Sequence, residues 1–347
     1  MSDNSKEAEK EMEKAIFISA DCWLKVFDLL PRFQLGLGIA MISHRFDCFV
    51  EEHFKTRKWA LMKHIEIRCK IEENGANKME IVNSEGKTLP IPQNPLPNKV
   101  TGFRGISITF FDQKVLTFLR RFHRFFAKCE TKLYIATGNI RILEFLMRII
   151  WPMFKDTIRE MRLNGFVFHK IRQLAPSLLN DCPSLRVVTF YNDILPEFPL
   201  DDSANASDGQ ALAKWLFTPR LDNLPKALRI ECFSVGKWSP TMEQIKAAFS
   251  NASSPVAFVI SVCFLSFFPH SSYVVPFELI NQLTGEKLTL TESYRSFELI
   301  RCPIAWDTRK KAFYEELNAR QNQIEFVIGR VDDGLLDNAL AGSSGDH

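Results

Sequence analysis

The chain has no cysteines at CxxC spacing; its eight cysteines stand apart at positions 22, 48, 69, 129, 182, 232, 263 and 302. Zinc-ribbon and dithiol redox chemistry therefore have no ligand pattern to use, and scattered thiols fit buried side chains in a reducing compartment, cytoplasm or nucleus. No HExxH, GxSxG or GxGxxG pattern occurs, nor a GxxxxGK run followed by Ser or Thr, and the seven histidines are isolated from acidic or cysteine partners at ligand spacing. No catalytic residue, metal site or cofactor is expected, and the chain is read as a protein that is not an enzyme. The longest apolar run, Val256 to Phe268, has 13 residues between Pro255 and Pro269, whereas a membrane-spanning helix needs about 20. The segment from Met1 to Lys14 is charged and lacks an apolar run, so no signal peptide is expected. A formal net charge of +3 implies neither a nucleic acid nor a membrane as partner.

What the chain does have is phenylalanine, 30 copies against 5 tyrosines. A phenyl ring offers no polar handle, so these rings belong in a core or on a contact surface. At 347 residues, one large domain or two ordinary ones are expected.

Residues 16–58 read as three short helices. Ser19 is placed to cap the first, with Asp21 near the positive end of its dipole. Trp23, Val26, Phe27 and Leu30 recur at steps of three and four, and Pro31 ends the helix. Leu35, Leu37, Ile39, Ala40 and Met41 form a second set, which Gly36 and Gly38 should keep short. Ser43 can cap a third helix bearing Phe46, Phe49, Val50 and Phe54. A unit this small cannot bury so many large side chains alone, so part of its apolar face should be covered by something else.

Residues 59–100 read as a connector with a stiff spacer, carrying turn signals at 74–77 and 84–86 and prolines at 90, 92, 95 and 97. Beyond it the spacing predicts strand–helix units. Strands are expected at 106–110, 132–136, 158–163 and 185–190, with apolar-periodic segments at 115–126, 142–154 and 169–179. Counting from Ile108 through Ile135 and Met161 to Val187 gives intervals of 27, 26 and 26 residues. That spacing suits leucine-rich-repeat-like stacking, and a βαβ sheet gives the same interval.

The repeat then breaks at a polar loop with Glu197, Asp201, Asp202 and Asp208, which is either solvated or a contact loop. A helix at 209–217, a strand at 227–233, a helix at 241–252 and a strand at 257–264 are expected next. A hairpin follows, turning at Gly285, then a strand at 297–301 and a charged helix at 305–320. The fold class is therefore α+β or α/β. It comprises a disordered tail at 1–15, the helical module, the connector, a target-binding domain at 101–331 and a disordered tail at 332–347. A basic segment, Arg120, Arg121, His123, Arg124 and Lys128, could meet acidic peptide or RNA phosphates, but an amphipathic helix with a solvated cationic face explains it as well and is preferred.

The run from Ile18 to Pro31, with Leu35 and Ile42-Ser43-His44-Arg45-Phe46 after it, resembles an F-box. Ile18-Ser19-Ala20-Asp21 stands where that family has Leu-Pro-x-Glu, and Phe46 stands where it has Trp. Stretches at 52–59, 89–100, 210–216, 275–279 and 283–286 are similar to a nematode family of F-box proteins with a C-terminal F-box-associated domain. The resemblance implies a substrate adaptor of an SCF-type ubiquitin ligase. It would bind a Skp-family adaptor, and through it a cullin scaffold, by Ile18, Trp23, Val26, Phe27, Leu30, Leu35, Ile42 and Phe46. The other readings are a protein- or RNA-binding scaffold unconnected with ubiquitination, and an enzyme whose site is spatial rather than sequential.

Overall fold

Alternation of apolar and polar residues is the local rule that builds most of this chain, because successive strand side chains point to opposite faces. A computed structural model describes residues 18–55, 59–71, 77–83, 85–92, 100–126, 131–191, 194–220, 222, 224–232, 238–264, 275–293, 296–304 and 322–341. The expected N-terminal tail and the charged helix at 305–320 lie outside the described residues, as do Pro95 and Pro97. The chain divides into two compact units, Met1–Met62 with Pro92–Gly102, and Lys63–Ile91 with Phe103–His347.

In the first unit, α1 (Ala20–Asp28) is capped by Ser19, whose Oγ accepts from the Cys22 N–H at 3.4 Å. Pro31 starts α2 (Arg32–Leu37), which passes at Gly38 into a 3-10 turn (Ile39–Met41). Ser43 caps α3 (His44–His53) through the Phe46 N–H. Phe27, Leu35, Ala40, Val50 and Phe54 form the module's core.

Thirteen strands form one mixed sheet: β1 (Trp59–Ile71), β2 (Asn77–Asn83), β3 (Thr88–Pro90), β4 (Val100–Phe111), β5 (Thr131–Ile135), β6 (Ile158–Leu163), β7 (Val187–Phe190), β8 (Lys226–Cys232), β9 (Phe258–Phe264), β10 (Phe277–Asn281), β11 (Glu286–Ser293), β12 (Ser296–Pro303) and β13 (Asn322–Val331). Their order is 10-11-12-9-8-7-6-5-13-4-1-2-3. From β9 across to β4 every neighbouring pair is parallel, while the hairpins at the two ends are antiparallel. Interleaved with the strands are α4 (Gln113–Phe126), α5 (Ile140–Phe145), a π-helical turn (Leu146–Ile150), α6 (Trp151–Phe154), α7 (Gly165–Leu174), α8 (Asp208–Phe217) and α9 (Trp238–Ser250).

Three features differ from the sequence reading. The expected connector supplies β1, β2 and β3, because Ile65, Ile67 and Cys69 alternate with polar residues and pair with Asn83, Ile81 and Met79. The chain returns after residue 321 to insert β13 between β4 and β5, an arrangement that consecutive repeats do not have. Residues 333–341, expected within a frayed tail, form α10 (Asp333–Ala341), held by buried Leu336 and by Arg141, whose Nη2 lies 2.7 Å from Asp337.

The register is also one or two residues longer than the 26-residue count. Leu133, Met161 and Val188 are partners in a row that continues through Leu228, Ile260 and Leu299. All six are buried. Helices α7, α8 and α9 pack on this face through the ring pairs Phe168–Phe190, Phe217–Phe258 and Trp238–Phe297.

Candidate interaction surfaces

Helix α1 carries two apolar stripes side by side. The inner stripe runs through Trp23, Phe27 and Leu30. Phe27 is 1% exposed, with its ring 6.3 Å from Trp23 and 5.9 Å from His53. Trp23, Leu30 and Phe46 are half-buried against the same core, and Trp23 meets Phe46 edge-on at 4.9 Å. The outer stripe runs through Cys22, Val26 and Leu29, at spacings of four and three, with Ile18 just before the helix. Leu29 is 84% exposed, and Ile18, Cys22 and Val26 are exposed too. Ile42, 62% exposed, precedes the cap of α3, and Arg45 of that helix donates to the Ile18 carbonyl at 3.4 Å. That bond ties the starts of α1 and α3 together.

The eight residues expected to meet an adaptor therefore separate. Ile18, Val26 and Ile42 are available to a partner, Trp23, Leu30 and Phe46 are partly so, and Phe27 and Leu35 are core side chains. Leu29 and Cys22 were missed, although their spacing with Val26 was present in the sequence. Ser19, which stands where the F-box pattern that the sequence resembles has proline, acts as the helix cap.

The second surface is the sheet face opposite α7, α8 and α9. One row of register partners there reads Glu325, Tyr134, Arg162, Thr189, Arg229, Ser261 and Glu298, on β13, β5, β6, β7, β8, β9 and β12 in turn. All but Thr189 are partly exposed. The adjacent row begins with Lys132 and Glu160 and continues into the buried residues Val187, Ala227, Val259 and Ile300. Burial opposes charge on Glu160, yet Lys132 at 2.8 Å and Arg162 at 2.8 Å hold its carboxyl below the ordinary value.

The acidic loop before α8 is spent internally. Buried Arg172 donates to the Ser203 and Ala206 carbonyls and to Asp208 at 2.9 Å, while Asn180 bonds Asp202 and Ser207 bonds Glu197. Of the basic segment, Arg120 and Arg121 are exposed on α4 and Leu119 is buried. His123, Arg124 and Lys128 lie outside the described side chains.

A cavity of about 310 Å³ lies beside the start of β8, lined by Leu185, Trp215, Arg220, Asp222, Lys226 and Cys182 among others. Each polar group there already has structural work. Arg220 is bidentate to Asp222 and holds its carboxyl down to about 2. Lys226 donates to the Trp215 and Thr218 carbonyls, capping the end of α8. Burial pushes the Cys182 thiol up, away from thiolate reactivity.

Burial, helped by Arg220, pushes the Lys226 ammonium down to about 7. Between there and the usual lysine value of about 10.4, the unfolded chain holds a proton that the folded chain has released. Stability should therefore rise with pH across this window, and the full cost of burying the charge falls below it. Urea unfolding at pH 6.5 and pH 9.5 should show a gain on the order of 2 kcal/mol in the wild type relative to Lys226→Met.

No helix among the described residues is long and apolar enough to cross a membrane. The chain matches no family model, no curated protein and no solved structure.

Proposed function

We propose that the chain is a non-catalytic F-box adaptor that recruits a protein to a cullin-based ubiquitin ligase. The observation that carries this reading is the uncovered apolar stripe of Ile18, Cys22, Val26 and Leu29, with Ile42, on the module whose sequence resembles an F-box. Contiguous exposed apolar surface mostly marks a site where another protein docks. The occupant is a Skp-family adaptor, and it closes over the outer stripe while Phe27 and Leu35 hold the helices in place beneath.

The sheet unit holds the target. Its strand–helix units, leucine-rich-repeat-like in succession from β5 to β9, carry α7, α8 and α9 on one face and a row with Tyr134, Arg162 and Arg229 on the other. Catalysis then consists of tethering: a bound target has its lysines at high effective concentration near the ligase. No metal or cofactor enters this scheme, and the working compartment is cytoplasm or nucleus, where scattered thiols stay reduced.

Co-expression with a Skp-family adaptor should give a complex stable through gel filtration. The double variant Leu29→Glu, Ile42→Glu should weaken it by about 2 kcal/mol or more, roughly 30-fold, at an unchanged melting temperature. A wild-type chain that elutes alone would leave the scaffold reading in its place.

A further inference from the structure

We infer that Cys48, on the exposed face of α3, is a site of reversible thiol modification, with His44 as the base that takes its proton and a small neutral disulfide as the co-reactant. Ser43 caps α3 and fixes His44 as its first residue, so Cys48 follows one turn on along the same side. The Cys48 Sγ lies 3.6 Å from the His44 Nδ1, within the reach of a sulfur hydrogen bond. Histidines isolated from cysteine were expected from the sequence; α3 brings this pair together. Both side chains are exposed, so a reagent reaches the sulfur from solvent. Cys22 and Cys263 are exposed as well, but among the described residues neither is hydrogen-bonded to a histidine.

With the ring hydrogen on Nε2, the His44 Nδ1 accepts from the thiol, which is the arrangement of a nucleophile beside its base. The S–H proton passes to Nδ1 as the Cys48 sulfur attacks one sulfur of the disulfide. A new S–S bond forms, the old one breaks, and the departing thiolate takes the proton from His44. Cys48 ends oxidised in a mixed disulfide, and the other half of the co-reactant ends as a reduced thiol. An excess of small thiol reverses the exchange. Asp47 supports the proton transfer. Burial and Glu51 push its carboxyl up while His44 draws it down, so a carboxylate at Asp47 and an imidazolium at His44 favour each other. The buried Oδ1 of Asp47 has no hydrogen-bond partner among the described residues, which leaves its charge to act through space. Glu51 and Glu52 follow Cys48 by three and four residues, and Arg45 precedes it by three. Carboxylates outnumber the one guanidinium there, so an anionic disulfide is repelled and a neutral one is not.

The test treats the full chain with 2-hydroxyethyl disulfide at pH 7, quenches with acid, and follows the peptides bearing Cys22, Cys48 and Cys263 by mass spectrometry. A free thiol is about 3% ionised at that pH, so complete removal of its proton is worth about 30-fold in rate at most. Cys48 should react about ten-fold faster than Cys22 and Cys263 in the same molecules. His44→Ala and His44→Gln, neither of which leaves a base, should both bring Cys48 down to the rate of the other two. The thermal midpoint should stay where it is, because the replaced side chain is exposed. By about pH 9.5 the wild-type advantage should shrink, since a free thiol is then ionised without help. A Cys48 rate equal to those of Cys22 and Cys263 in the wild type at pH 7, or an unchanged Cys48 rate in His44→Gln, would overturn the inference.

Discussion

Replacing Glu286 with Ala should destabilise the sheet unit by about 3–5 kcal/mol, the usual cost of orphaning a buried charge. Glu286 and Arg301 are both buried. One carboxylate oxygen accepts from Arg301 Nε at 3.0 Å and Nη2 at 2.7 Å, and the other accepts from the Val256 N–H at 2.8 Å. Arg301 also donates to the Ser254 carbonyl and lies over the Phe249 ring at 5.2 Å. The pair thus links β11 and β12 to the loop before β9 and to α9. Removing the carboxylate strands a guanidinium and a backbone N–H together. The apolar double replacement Glu286→Leu, Arg301→Met should recover most of the loss, since a packed hydrophobic pair avoids the desolvation cost. Urea unfolding of the two variants and the wild type measures this. A single variant within 1 kcal/mol of wild type would show the pair to be unimportant.

Phe27→Ala should cost about 3–5 kcal/mol, the range for emptying an aromatic site in a core. Its ring fills the space between Trp23 and His53 above Leu35, Ala40, Val50 and Phe54. A module this small has little stability to spare. Amide exchange across residues 20–53 should rise to near the unprotected rate while the amides of β5 to β9 keep their protection. Leu29→Ala, two residues on, should change stability by less than about 0.5 kcal/mol because that side chain is exposed. The contrast separates side chains that build the module from those that face a partner.

Much of this was legible in the chain itself. Ser19 and Ser43 could be read as caps because a hydroxyl before an apolar-periodic run has few other uses. The strands from β5 to β9 were legible because runs such as Val187–Phe190, bounded by turn residues, have one cheap conformation. The β10–β11 hairpin announced itself through Gly285, whose φ of +67° suits glycine. Pairing over long separations was not legible. Asn322–Val331 has strand alternation, but nothing local says that it enters between β4 and β5. Ile65, Ile67 and Cys69 alternate as cleanly, yet the turn signals and prolines downstream suggested a connector. Two adjacent stripes on α1 could each have been the buried one, and only the position of α3 chooses Phe27 over Val26. The polar row across the sheet depends on register, which a one-residue slip would move to the other face.

The most direct test of the adaptor reading uses the thiol within the outer stripe. Cys22 and Cys263 are both exposed, the first on α1 and the second on β9. Alkylation of each is followed by mass spectrometry with and without a saturating Skp-family adaptor. Docking on the stripe requires Cys22 to become protected while Cys263 reacts as before. Unchanged labelling of Cys22 in a mixture where the adaptor is bound would place the contact elsewhere and contradict the account.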